Sequence, residues 1–100
     1  AELLKQMPDV DGILCSTDML AIGCMQELKA HGIAVPECVA VIGVDNTLYG
    51  QLCTPALTTL NNKLGEVSLA ATNMLLDVLQ ERPVSHKLML LTEIIQREST

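Results

Sequence analysis

The sequence predicts an α/β fold, a parallel sheet assembled from β-α-β units, on three observations. Two short runs rich in aliphatic and β-branched residues, Asp11 to Ser16 and Val39 to Val44, flank a stretch of helical propensity. Each run ends in a compact polar cluster, Ser16-Thr17-Asp18 and Asp45-Asn46. The whole unit occupies about 35 residues, the scale on which a helix can carry the chain from one strand to a parallel neighbour.

Asp11-Gly-Ile-Leu-Cys-Ser16 is continuously apolar between turn residues, the pattern of a strand buried on both faces. Ser16, Thr17 and Asp18 are favoured helix caps, and Met19 to His31 read as helix until Gly32 supplies the stop. In that helix Leu20, Ala21, Cys24 and Leu28 are expected to face the sheet, while Met19, Ile22 and Met25 form a second apolar patch that needs its own partner. In open α/β sheets ligands sit beyond the carboxyl ends of the strands, so the two polar clusters are expected to be neighbours there. Leu57 to Leu60 is a third strand. Asn61 or Asn62 then caps a helix running to about Gln80, with Glu66 near its positive end. Val67, Ala70, Ala71, Met74, Leu75 and Val78 share one face of that helix, and Leu69 and Leu76 lie nearly opposite. Beyond Pro83, Lys87 to Leu91 and Thr92 to Gln96 read as strands.

Composition narrows the function classes. The 100 residues are 49% hydrophobic and 18% charged, a packed globular balance far from that of a disordered chain. Tyr49 is the only aromatic and the net charge is −6, so neither base stacking nor phosphate neutralisation is available and no nucleic-acid contact is expected from these residues. The most apolar stretch, Val67 to Leu79, is too short and too polar to span a bilayer. Cys15, Cys24, Cys38 and Cys53 form no C-x-x-C pair, so no metal site is expected. Thiols inside apolar patterns suit a reducing compartment, which points to the cytoplasm. His31 and His86 have no Ser, Cys or carboxylate at catalytic spacing and are read as solvated surface. Gly43-Val44-Asp45-Asn46 matches no phosphate-binding loop, so no cofactor is expected and the chain is not read as an enzyme.

Ser16-Thr17-Asp18-Met19-Leu20-Ala21-Ile22-Gly23, Val41-Ile42-Gly43-Val44-Asp45-Asn46, Thr54-Pro55-Ala56-Leu57-Thr58-Thr59-Leu60, the Gly65 turn and the closing Arg97-Glu98-Ser99-Thr100 occur in an order and spacing similar to one family. Across its whole length the chain resembles the effector-binding domain of bacterial transcription regulators of the lactose- and galactose-repressor family. The resemblance implies a periplasmic-binding-protein-like type I fold, of which this stretch is expected to be an incomplete fragment. By the same resemblance, residues 1–54 belong to the C-terminal lobe, residues 55–86 cross into the N-terminal lobe, and residues 87–100 return.

The implied function is that of a sensor. A small effector, a sugar or related polyol, binds between the lobes of a homodimer and shifts their orientation, and DNA is reached only through segments outside this chain. Residue by residue, the resemblance puts Asp45 and Thr17 in the ligand cleft, with Asn62 and Leu64 near the lobe crossing. Asp45 read alone is a turn or helix-capping carboxylate, and it is the resemblance that makes it a ligand contact, whereas Asp18, at the helix start, is read as a structural cap or turn lock. Met19, Ile22 and Met25, with Leu48, Leu52 and Cys53, are implied at the subunit interface. Val44 stands where the family commonly has an aromatic residue and Thr17 where it has Asn. The rival readings are a periplasmic sugar-binding protein of a transporter and an enzyme of the doubly wound class.

Overall fold

The structure is a computed structural model that describes residues 2–100. Its elements run α1 (Glu2–Gln6), β1 (Gly12–Leu14), α2 (Asp18–Ala30), β2 (Ala40–Val44), α3 (Leu48–Leu52), β3 (Thr58–Asn61), α4 (Leu64–Leu79) and β4 (Glu93–Ile95). The four strands form one sheet in the order β1-β2-β3-β4. The first three are parallel, with Gly12 opposite Ala40 and Ile42 opposite Thr58. β4 is antiparallel to β3, so the parallel sheet of β-α-β units carries one reversed edge strand. The reversal follows from chain path: after α4 leaves the carboxyl end of β3, the chain re-enters from that same end.

α2 starts where the cap residues place it. Thr17 is extended, and its hydroxyl accepts the Leu20 N–H at 3.2 Å, satisfying one of the donors a helix start leaves free. At the far end Gly32, with φ 72, takes the left-handed conformation that ends the helix. Ala21, Met25 and Leu28, spaced by four and three residues, seat α2 on the sheet and meet Val39, Val41 and Leu57 in the core. This shifts the buried face from the expected one. Leu20 is exposed, and Met25, expected in the second patch, is only 6% exposed and belongs to the core. The physical reason is that α2 lies over β2 and meets Leu57 just before β3, so its sheet-facing stripe is centred on Ala21 and Met25.

β1 corrects a second expectation. It is an edge strand, α2 covers only its Ile13 side, and Leu14 is 74% exposed, so it is not buried on both faces. The start of α4 corrects a third. Lys63 takes the cap position with φ 52, and no side chain caps the helix in the usual way. Asn61 remains in β3 and its Oδ1 accepts the Lys63 N–H at 3.0 Å, tying down the turn before the helix. Lys87 to Leu91 is not a strand: β3 ends at Asn61, whose partner is Glu93, so earlier residues run past the end of the ladder.

α4 has no buried residue. Val67, Ala70, Ala71 and Met74 line a groove with Leu88, Leu90 and Thr92, while Leu69 and Leu76 on the other side are exposed. The molecule measures 59 × 27 × 17 Å with a radius of gyration of 18.0 Å, against about 13 Å for a compact 100-residue domain. α4 and the 88–92 segment therefore form an arm beyond a small β-α-β body. No helix of the described residues is long and apolar enough to cross a membrane.

Candidate ligand-binding wall at the carboxyl ends of β1 and β2

Parallel pairing of β1 and β2 brings the turn after each strand to the same end of the sheet, where the sequence places its polar clusters. They are joined there by a buried carboxylate. Asp18 is 0% exposed and accepts from Thr59 Oγ1 at 2.6 Å, from the Thr47 amide at 2.7 Å and from Thr47 Oγ1 at 2.9 Å. Asp18 is thus the turn lock the sequence suggested, while capping falls to Thr17. Thr47 occupies the cap position of α3 without a capping bond, and its hydroxyl donates to Asp18.

The turn so held has an unusual backbone. Asp45 and Asn46 have φ of 107 and 53, the region that favours glycine and that costs a non-glycine residue about 1–3 kcal/mol. Four hydrogen bonds hold the two residues there, and a fifth anchors one of their partners, Arg97. The Asp45 amide donates to Leu60 O at 2.9 Å, and the Asn46 amide donates to Thr59 Oγ1 at 3.2 Å. Arg97 Nη2 donates to Asn46 Oδ1 at 2.7 Å while its Nη1 donates to Leu57 O at 2.9 Å. Asn62 Nδ2 donates to Asp45 Oδ1 at 3.3 Å. The result is an exposed carboxylate on an over-determined turn, with a lone pair of Oδ1 engaged and Oδ2 open. A carboxylate so presented can accept directed bonds from the hydroxyls of a polyol.

Of the residues the sequence singled out, Asp45 and Asn62 are in direct contact. Thr17 stands on the adjoining turn, its oxygen used by Leu20 and its own O–H still free to donate outward. Leu64, 74% exposed, opens α4 on the far side of Lys63. Asn46, Thr59 and Arg97 carry the turn and were not singled out. The signals that could have found them are a Thr pair inside an aliphatic strand and a lone Arg directly after one.

The expected interface patch divides. Ile22 and Cys53 line one groove of about 250 Å³ together with Gln26, Lys29 and Thr54. Leu48 and Leu52 on α3 are exposed at 63% and 72%, and Met19 lines a separate groove with Leu3, Leu20 and Cys24. The Cys15 thiol is pushed up to about 11, first by burial and then by the adjacent Cys24. Among the described residues no group of three His, Cys, Asp or Glu side chains could hold a metal ion.

Comparison with known proteins gives the wall its context. Residues 1–100 match the family of the periplasmic binding protein-like domain. The chain is 36% identical over 100 residues to the transcriptional repressor CytR of Escherichia coli K12, covering 99% of this chain and 29% of that protein. Its fold superposes with a TM-score of 0.89 on a LacI-family transcriptional regulator from Arthrobacter sp. FB24 in complex with lactose, at 37% identity, over 99% of this chain and 39% of that one. A complex of the transcriptional regulator CelR with cellobiose gives a TM-score of 0.92 at 31% identity, over 99% of this chain and 31% of that one. The chain spans less than a third of the length of the curated relatives it matches. With its mostly parallel sheet and its polar turns at the strand ends, this chain belongs to the periplasmic-binding-protein-like domain family, and its relatives are LacI-family transcriptional regulators.

Proposed function

We propose that these residues form one wall of the effector cleft in a LacI-family transcription repressor, and that the effector is a sugar or related polyol. The observation that carries this reading is the Asp45 carboxylate, exposed at the carboxyl end of β2 on a turn held at φ 107. Strain maintained around an exposed polar group is what a pre-organised ligand contact requires. The sugars bound in the relatives with lactose and cellobiose are polyols of the class an open carboxylate oxygen and a free Thr17 O–H recognise. That all these relatives are transcription regulators favours this reading over a transporter's binding protein or an enzyme.

In this scheme residues 1–54 belong to the C-terminal lobe, residues 55–86 to the N-terminal lobe, and residues 87–100 return. The arm beyond the small core supports that division. Asn62 and Leu64 lie at the crossing, where lobe movement is felt. Ile22, Leu48, Leu52 and Cys53 form a homodimer surface, with Met19 at its margin. DNA is bound by segments outside this chain, and the protein works in the cytoplasm. The sugar shifts the population of lobe orientations by its difference in affinity for them, about 1–3 kcal/mol in allosteric proteins.

Thermal-shift screening of the full-length protein against cellobiose, lactose, ribose and nucleosides tests the reading, run beside Asp45→Ala. A ligand at 100 times its Kd stabilises by about 2.7 kcal/mol, a shift of several degrees. The shift is expected for a sugar and expected to vanish in Asp45→Ala. An equal shift in both proteins removes Asp45 from the site, and stabilisation by a nucleoside alone replaces the sugar.

A further inference from the structure

The bonds to Asp18 do more than close a buried gap. Its carboxylate fills a slot between β2 and α3: a Cβ at Gly43 would overlap Oδ1, and one at Gly50 would lie 3.2 Å from Oδ2. No ion pair engages it among the described residues. Its charge is met by the three donors and by the positive end of α2. A buried carboxylate is costly beside an apolar residue of similar size, and the capping duty is already performed by Thr17. What distinguishes the three bonds is where they lead. Two go to Thr47, the residue directly after Asp45 and Asn46. The third goes to Thr59, whose oxygen in turn accepts the Asn46 amide. All of them converge on the 45–47 turn.

We propose that Asp18 is a positioning residue that clamps the Asp45-Asn46-Thr47 turn in its left-handed conformation, keeping the Asp45 carboxylate aimed out of the sheet toward the effector. The proposal rests on the effector role of Asp45 proposed above. Without the clamp, Asp45 and Asn46 relax toward ordinary φ values and the carboxylate swings away from its outward setting. The same clamp fixes the turn to α2, whose next turn carries Ile22 of the α2–α3 groove, so a change at Asp45 reaches that groove through one side chain.

The test uses the full-length protein, wild type and Asp18→Asn, which keeps the side-chain volume but puts an N–H₂ against donors. Thr59→Val, close in shape, removes the Thr59 bonds to Asp18 and to the Asn46 amide while leaving both Thr47 bonds in place, and provides a milder second variant. Amide hydrogen exchange is expected to accelerate about tenfold or more at Asn46 and Thr47, with Leu28 and Val41 unchanged; Thr59→Val accelerates Asn46 alone. Uniform acceleration across β2 and α2 in both variants means general packing and overturns the clamp. Titration with cellobiose and lactose then separates the two readings. Asp18→Asn is expected to weaken sugar binding about tenfold in the wild-type background and to add nothing in Asp45→Ala. Additive losses overturn action through Asp45. If Asp45→Ala itself leaves affinity unchanged, the effector reading fails while the exchange data still decide whether the clamp exists.

Discussion

Adding one methyl group at Gly43 tests how tightly the Asp18 slot is built. The residue lies in β2 with its hydrogen facing α2 and has no need of a glycine backbone, so the cost of Gly43→Ala is one of space alone. The new Cβ overlaps Asp18 Oδ1 and comes within 2.9 Å of Leu57 Cδ2 and 3.1 Å of Asp18 Cα. Leu57 is a fully buried core residue, and Asp18 cannot withdraw without giving up a bond to Thr59 or Thr47. Overpacking a core costs about 1–3 kcal/mol, and losing one bond to a charged acceptor adds about 1.5–3 kcal/mol. A total near 3–5 kcal/mol is expected, a large share of the stability of an ordinary domain. Urea unfolding of the full-length protein, followed by circular dichroism, reads the loss as a lower midpoint. The matching cycle adds Asp18→Ala. With the carboxylate gone the worst overlap is relieved, and Gly43→Ala is expected to cost only the residual contacts with Leu57 and the Cα of residue 18, about 1–2 kcal/mol. Fully additive costs, or a Gly43→Ala midpoint equal to that of wild type, would refute the assigned geometry.

Thr17→Ala is expected to lose about 1 kcal/mol of stability through its cap and to weaken sugar binding through the lost O–H; Thr17→Ser restores both, and unchanged affinity in the Ala variant confines Thr17 to the cap. Because the thiolate is the nucleophile and Cys15 is held at about 11, Cys15 remains a neutral thiol at pH 8 and its alkylation rate by iodoacetamide climbs with pH toward 11. Exposed Cys38 reacts first in a mass-spectrometric time course, and early labelling of Cys15 counts against its burial beside Cys24. Residues 1–100 expressed alone are expected to self-associate, since Leu69, Leu75, Leu76 and Leu79 of α4 and Leu88, Met89 and Leu91 are all exposed. A single monomeric species in sedimentation velocity at high concentration is the contrary result.

Local pattern was a good guide wherever the element's own residues decide the outcome. The cap at Thr17, the stop at Gly32 and the meeting of the two polar clusters all depend on neighbours within a few positions or on the parallel pairing itself. The rest depends on contacts across the chain. Periodicity marked two apolar stripes on α2, but the helix's rotation is set by Val39, Val41 and Leu57 beneath it, which is why Met25 turned inward and Leu20 outward. The run from Lys87 to Leu91 has strand composition, yet a strand needs a partner, and β3 is too short to supply one. At the site, the place of Asp45 after β2 follows from the strand pattern, whereas the supports of its turn come from positions 59, 62 and 97, at separations no spacing rule connects.

Ser99 sits between the parallel pair that forms the centre of the sheet. Its Oγ donates to Val41 O at 2.6 Å and accepts the Thr58 amide at 2.8 Å, while its carbonyl accepts the Val41 amide at 2.9 Å. These partners lie 58 and 41 residues earlier in the chain. A ribosome making this protein therefore synthesises β2 and β3 before the residue that stitches them together. At about 5–20 residues per second the delay is on the order of seconds, long compared with the time a helix or hairpin needs to form. During that interval α2 can already lie on β1 and β2, but the β2–β3 seam still lacks its stitch. The repeated lengthening of the stretch between Thr58 and Ser99, or a pause within it, would prolong the period in which the nascent sheet offers unsatisfied backbone to a chaperone or to a neighbouring chain.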